Sequence, residues 1–410
     1  MSKKVYVAGG GAAGMCAAIY AARNGADVTI IEKNNQLGKK LSMTGNGRCN
    51  LSNLDMSEKM YNIASEKRMK EWLSVYGVLD VINFFKSLGV VVKSEDGYLY
   101  PISGQASTVV TALENELKRL GVKVIFGEQL KSVEPYNEEN IQKYKVITTA
   151  NRYDADKVII ATGGLSGAKS TMSTGDGYYI CKKLGLHIKD TFPALVGFKV
   201  DEGEVMPEGG VRAGANIDFL LGSEVIASEY GELQFVKDGI SGIPVMQASS
   251  KVVKLLEEKK PVVSSIDFFP DYDEKDFLAL EKEMLKLRDD RSLTDFLLGF
   301  HNSNINDMIT TKMKMSKSMK MKNISESMVL SILDTYRNYK LKLDSCYGYQ
   351  QSQVTTGGIS LGDIRDDFTT CLHDGIFIVG ELLDVDGRCG GYNLQWAWTS
   401  GSIAGTVASL

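Results

Sequence analysis

The chain has 410 residues, more than one ordinary hydrophobic core holds, so two or three domains are expected. A 43% apolar and 24% charged composition is that of a soluble globular protein, and a net charge of −4 leaves no basic footprint for nucleic acid or an anionic membrane. No apolar run reaches the length of a membrane span, no leader is expected because the chain enters a strand at once, and six scattered cysteines without a CxxC read as cytoplasmic free thiols.

Val5 to Ala8 is a short apolar run that reads as a buried strand. Gly9, Gly11 and Gly14 follow as GxGxxG. Ala12 to Asn24 is alanine-rich and favours helix, with Gly25 as its stop, and Ala26 to Ile31 is a second strand ending at Glu32. A lone GxGxxG says little. Between a strand and a helix, with an acid 18 residues beyond Gly14, it is the fingerprint of a dinucleotide-binding fold. Gly9 allows the tight turn, Gly11 lets the backbone approach a pyrophosphate, and Gly14 lets helix and strand pack closely. The N–H groups around Ala12 and Ala13 open the helix toward the phosphates. Glu32, with Lys33 beside it, is placed to accept hydrogen bonds from ribose hydroxyls. Glu32→Ala is expected to weaken cofactor binding while the folded apoprotein largely survives.

Residues 36–53, "QLGKKLSMTGNGRCNLSN", have no helical or strand period and concentrate glycine, amides, an arginine and a cysteine. Lys39 and Lys40 are candidates to neutralise pyrophosphate charge. Gly45 and Gly47 permit close backbone approach, and Asn46 and Asn50 offer hydrogen bonds to cofactor or backbone. Further along, Leu73 to Leu88 reads as one helix, residues 94–101 as a hairpin, Thr108 to Leu120 as an amphipathic helix and residues 122–134 as strand material. "DKVIIATGG" is a strand running into Ala161, Thr162, Gly163 and Gly164, and "STGDGYYI" is a turn opening a helix. From residue 191 short strands with glycine turns predict a β-rich insert (191–271 and 339–349), and helical periods predict a small helical insert (272–338). The chain returns by strand to "GELLDVDGRCGGYNLQWAWTSGSIAG", with a helix from about Tyr392.

Glycine motifs at such distant places suit one long, extended cofactor. "GKKLSMTGNGRCN", "STGDGYYI", "QFVKDGISGIPV", "TTGGIS" and the closing segment together resemble, nearly end to end and in order, the bacterial flavoprotein family of the BaiN/RdsA and aminoacetone-oxidase type. The resemblance implies an α/β, two-dinucleotide-binding-fold flavoprotein: a Rossmann-like FAD domain (1–190 and 350–410) carrying the β-rich and helical inserts. It implies FAD, with Leu130 at the adenine end and Ala161-Thr162-Gly163 over the cofactor. It further implies that Gly380, Glu381, Asp386, Gly391, Asn393 and Leu394 bring the last helix to the flavin pyrimidine. It also implies oxidoreductase chemistry on a small molecule.

No second GxGxxG exists, so NAD(P)H has no domain of its own and would serve only as a transient electron donor. Three isolated histidines, His187, His301 and His373, lack metal-ligand or triad spacing. If the reaction reduces a conjugated ketone, Arg48, Arg388 and Tyr392 are the candidate groups to stabilise the developing charge. The alternative is that the arginines bind cofactor or stitch loops together. An FAD-dependent amine oxidase releasing peroxide, and a non-catalytic flavin redox sensor, remain as other readings.

Overall fold

The computed structural model describes residues 2–139 and 141–410. Its contacts divide the chain into two compact units, Met1–Pro193 with Ser352–Leu410, and Ala194–Gln351.

The first unit is built on a five-stranded parallel sheet. Lys4–Ala8 lies at its centre, flanked by Asp27–Glu32 and then Lys123–Phe126 on one side, and by Lys157–Ile160 and then Ile376–Ile378 on the other. The central strands are mostly apolar because both faces are covered; Val5, Val7, Ile30 and Val158 to Ile160 are all buried. The first helix, Ala12–Arg23, packs along the C-terminal helix, Tyr392–Ala408. The small residues in both helices now have a reason beyond propensity. A Cβ on Gly401 would sit 2.6 Å from the Ala13 carbonyl oxygen, and one on Gly405 would sit 2.2 Å from that of Ala17, so the two backbones nearly touch.

The segment read as one helix from Leu73 to Leu88 is two helices, Glu66–Val75 and Val78–Ser87. The break falls at Tyr76-Gly77. Asp80 accepts from the Gly77 N–H (2.8 Å) and caps the second helix, while the Tyr76 carbonyl receives Thr399 Oγ1 (2.9 Å) and Gln395 Nε2 (3.3 Å) from the C-terminal helix. Tertiary partners satisfy the groups that a continuous helix would have used. The predicted hairpin forms as Val92–Glu95 and Tyr98–Pro101, turning on Asp96 and Gly97, both with positive φ.

The second unit contains a closed six-stranded barrel in the order Phe198–Val200, Gly239–Gly242, Glu224–Val236, Arg212–Leu221, Val262–Asp267, Tyr339–Cys346. Phe198–Val200 pairs with both Gly239–Gly242 and Tyr339–Cys346 and so closes the ring. Inward positions alternate along the strands, as in Ala213, Ala215, Ile217 and Phe219, all buried. Four helices, Glu274–Leu285, Leu293–Leu297, Ser303–Lys312 and Glu326–Arg337, form the connection between the barrel strands Val262–Asp267 and Tyr339–Cys346. No helix among the described residues is long and apolar enough to cross a membrane.

Candidate functional site

At the end of the first strand the chain turns at Gly9 with φ +106°, and the Gly9 N–H donates to Ile31 O at 2.8 Å. Only glycine takes that conformation freely. A Cβ on Gly14 would lie 1.9 Å from the Gly9 carbonyl oxygen, so this position is closed to every other residue. Gly11 differs from both: it precedes the first helix in extended backbone, and a Cβ there would meet nothing within 4 Å. The first-turn N–H groups around Ala12 and Ala13 point out of the helix with no intrahelical acceptor, which is what a pyrophosphate requires.

Glu32 is buried (7% exposed) at the end of the second strand. Its Oε2 accepts from the Gly10 N–H at 2.7 Å, and its Oε1 accepts from both the backbone N–H and the side-chain amide of Asn34, each at 2.8 Å. The carboxylate thus shapes the glycine turn itself, and its remaining lone pairs are what a ribose could use. Lys33 Nζ reaches away from it to Thr174 Oγ1 (2.7 Å) and Asp176 Oδ2 (2.8 Å), at the start of the helix Asp176–Lys183. Burial pushes the Asp176 carboxyl up, but hydrogen bonds from Lys33, Gln129 and Thr174 and the Lys33 charge outweigh it and hold it below its ordinary range.

Just past the strand Lys157–Ile160, the Ala161 N–H donates to Ala8 O (2.8 Å), Gly163 follows at φ +73°, and Leu130 opens the strand Leu130–Glu138. The Thr162 Oγ1 is buried and has no hydrogen-bond partner among the described residues. A buried hydroxyl costs about 1–3 kcal/mol when left unmatched, so its oxygen calls for a polar ligand group. The Gly11 and Gly163 positions, where a Cβ would meet nothing, the helix N-terminus and this hydroxyl fit an extended dinucleotide such as FAD.

The loop after the second strand contains a run that few sequences permit. Gly45, Asn46 and Gly47 all lie in the left-handed region, at φ +56°, +54° and +82°. Asn is the side chain that tolerates it best after glycine, which explains the Gly-Asn-Gly order. Cys49 is also left-handed (φ +61°) and is fully buried, and burial pushes its thiol up to about 12, so it is no nucleophile at neutral pH. The Asn50 amide, oriented to match its neighbours, donates to Ser52 O (2.8 Å) and accepts from the Gly391 N–H (3.3 Å). Asn53 Nδ2 donates to Gly390 O (3.0 Å), and Ser52 Oγ to Gln395 Oε1 (2.6 Å). The two similar motifs, GRCN and GRCGGYN, therefore meet at the start of the C-terminal helix.

Around them, Lys40 Nζ pairs with Glu381 Oε2 at 2.6 Å, while Glu381 Oε1 accepts from the Thr355 N–H at 3.0 Å. Lys39 contributes its carbonyl to Ser42 Oγ. Gly380, at φ +71°, is tied to the C-terminal helix through Ser400 Oγ and Trp396 Nε1. Asp386 is buried and accepts from Asn62 Nδ2, which also bonds Thr356 Oγ1. Asn393 clasps Gly387 through both its amide atoms, and Leu394 packs half-buried against the core.

Of the three candidate catalytic groups, Arg48 donates to Glu95 Oε2 (2.6 Å) and lies 4.2 Å from the centroid of the Tyr100 ring. The Arg388 N–H donates to Met60 O. Tyr392 is buried, its hydroxyl donates to Asp55 O (3.0 Å), and burial pushes its pKa up to about 12. Asn62 escaped the sequence reading, and Glu95, Tyr100, Thr355 and Asp176, though they lie in the predicted hairpin, TTGGIS and STGDGYYI, were not singled out, because each acquires its place through contacts distant in the chain. No group of three or more His, Cys, Asp or Glu side chains among the described residues could hold a metal ion.

Sheet order, glycine turn, strand-end acid and helix N-terminus together define the class: the Rossmann-like FAD-domain fold of the flavoprotein oxidoreductases. The chain belongs to the HI0933-like protein Rossmann domain family, whose model matches residues 3–407. It is 34% identical over 409 residues to the 3-dehydro-bile acid delta(4,6)-reductase of Clostridium scindens, covering 99% of each chain. It is 27% identical over 406 residues to the ribosomal RNA dihydrouridine synthase of Haemophilus influenzae, covering 96% of this chain and 95% of that one. In fold it is similar to the 3-ketosteroid-delta4-(5alpha)-dehydrogenase of Rhodococcus jostii RHA1, with a TM-score of 0.53, 14% identity, and coverage of 100% of this chain and 97% of that one.

Proposed function

We propose that this flavoprotein oxidoreductase reduces a carbon–carbon double bond conjugated to a ketone, with NAD(P)H as electron donor. The reaction balances as NAD(P)H, a proton and the unsaturated ketone giving NAD(P)⁺ and the saturated ketone. The observation that carries the reading is the 34% identity, over 99% of both chains, to a protein named for reduction of a 3-dehydro-bile acid. FAD, when bound, supplies the hydride chemistry, and the protein binds and orients it. The residues that would hold it are the glycine turn at Gly9, Gly11 and Gly14, the first-turn amides of Ala12 and Ala13, Glu32 at the ribose, and the Lys40–Glu381 and Asn50–Gly391 contacts at the loop.

Anaerobic stopped-flow absorbance tests the proposal. The purified holoprotein is expected to be yellow, to bleach on mixing with NADH or NADPH, and to regain colour with a 3-oxo-4,6-diene bile acid. Bleaching by small amines without NAD(P)H, with peroxide released in air, would replace it with the amine-oxidase reading.

A second reading draws on the relative named as a ribosomal RNA dihydrouridine synthase, since dihydrouridine is uridine with a reduced C=C bond beside a carbonyl. A net charge of −4 weighs against an RNA substrate, which normally meets a basic surface. Formation of dihydrouridine in unmodified ribosomal RNA, assayed by mass spectrometry, separates the two.

A further inference from the structure

Lys40 and Glu381 reach each other from opposite sides of the central strand. Lys40 lies in the loop after Asp27–Glu32, and Glu381 lies just past Ile376–Ile378. Lys4–Ala8 and Lys157–Ile160 stand between those two strands, so the crossing covers three strand spacings, roughly 14 Å, at the carboxyl edge of the parallel sheet. That edge is where such a sheet takes its ligand. The loop leans over the central strand through Gly38, whose N–H donates to Gly10 O at 2.8 Å in the glycine turn. At the far end, a Cβ on Gly380 would lie 2.9 Å from Ala13 Cβ in the first helix, and one on Gly164 would lie 2.7 Å from Glu381 Oε1. The bridge thus starts beside the glycine turn and ends against the Ala161–Gly164 turn. Gly11 in the first turn and Gly163 in the second are positions where a Cβ would meet no protein atom within 4 Å. The Lys40–Glu381 bond, at 2.6 Å, is made by side chains alone, so it can open and re-form without disturbing a strand.

We propose that the Lys40–Glu381 ion pair is a strap across the cofactor crevice, which closes over bound FAD and has to open for FAD to enter or leave. The proposal rests on the FAD-binding part of the reading above and not on the substrate. A group that only attracts or repels the cofactor has a different signature. FAD is an anion, so removing the Lys40 charge alone would slow its entry and removing the Glu381 charge alone would speed it. A strap opens whichever half is removed, and both substitutions then speed entry.

The full-length apoprotein and its Lys40→Met, Glu381→Gln, doubly substituted and Lys40→Arg variants are mixed with FAD in a stopped-flow fluorimeter, in about 0.3 M NaCl to damp the steering by single charges. Release from the corresponding holoproteins is followed by exchange into excess 8-chloro-FAD. Glutamine retains an acceptor for the Thr355 N–H, so Glu381→Gln opens the strap without freeing that segment. Lys40→Met and Glu381→Gln should each raise both the association and the release rate about fivefold, the equivalent of about 1 kcal/mol removed from the cost of opening. The double variant should fall between the two singles, because a strap is opened only once. Lys40→Arg keeps the pair and should stay within about twofold of the parent. Slower entry in Lys40→Met, an unchanged association rate in either single variant, or single effects that multiply in the double variant overturns the strap and leaves the cofactor reading standing. A parent protein that takes up no FAD overturns both.

Discussion

Lys40 and Glu381 form an ion pair at 2.6 Å although 341 residues of chain separate them, and the same glutamate caps the Thr355 N–H. The pair fastens the loop that follows the second strand to the segment that precedes the last helix. Both side chains are mostly buried, at 31% and 20% exposure. A double-mutant cycle of Lys40→Met and Glu381→Gln, read by urea unfolding of the apoprotein, should return a coupling of about 1 kcal/mol that shrinks in high salt. A coupling indistinguishable from zero rules the pair out as a fastening.

Glu32 has a larger duty than its sequence context indicated. The expectation was that Glu32→Ala would spare the folded apoprotein. In the structure the carboxylate accepts three hydrogen bonds, one of them from Gly10 in the phosphate turn, and is buried. Alanine would strand those donors, so the apoprotein should lose about 1–3 kcal/mol as well as FAD affinity. Calorimetric melting of the apoprotein, beside FAD titration, measures both; loss of affinity at unchanged melting temperature would restore the earlier expectation.

Gly11 and Gly14, three residues apart, should answer alanine in opposite ways. At Gly14 the new methyl would meet the Gly9 carbonyl at 1.9 Å, a backbone clash that should cost about 3 kcal/mol or more and leave little soluble protein. At Gly11 the methyl meets no protein atom within 4 Å, so the apoprotein should melt within a few degrees of the parent. It would nonetheless stand where a pyrophosphate must approach, and the Kd for FAD should rise about tenfold or more, or at least 1.4 kcal/mol. Equal FAD affinity in Gly11→Ala would remove the phosphate from this turn.

Thiol reactivity should follow burial. Cys16, Cys49 and Cys181 are buried and their pKa values are raised by desolvation, whereas Cys371 is exposed and Cys346 and Cys389 are half-buried. Iodoacetamide at pH 8, followed by peptide mass spectrometry, should label Cys371 first and leave the three buried thiols unlabelled until the protein unfolds. Because the fold favours the protonated form of these three, stability should decline as pH rises beyond about 8.5, where the unfolded chain begins to ionise. Labelling of Cys49 in the native state would contradict its burial.

The features legible from sequence were those in which chemistry is local. Gly9, Gly14 and Glu32 announce a dinucleotide turn because their spacing is itself the geometry. Gly45-Asn46-Gly47 stood out because only such residues accept consecutive left-handed conformations. The break at Gly77 was hidden, since the buried Tyr76 carbonyl is satisfied by Gln395 and Thr399 from the far end of the chain. So was the meeting of Asn50 with Gly391: the repeat of GRC was visible, the contact was not. The closed barrel was read only as β-rich, because its closing strand Phe198–Val200 is three residues long and pairs with Tyr339–Cys346 across the whole unit.

To the barrel, the four-helix connection is one long hairpin turn. Ile266 stands opposite Tyr339, so the segment leaves and re-enters the sheet between neighbouring strands, about 5 Å apart. A segment pinned this way can gain or lose residues at little cost, since each doubling of length adds only about 0.6 kcal/mol of closure entropy. The strand pairing on either side keeps its register while the graft changes. A replacement of the helices therefore needs two joins that lie side by side at one edge of the barrel, after Asp267 and before Tyr339, and leaves the strands that carry them untouched.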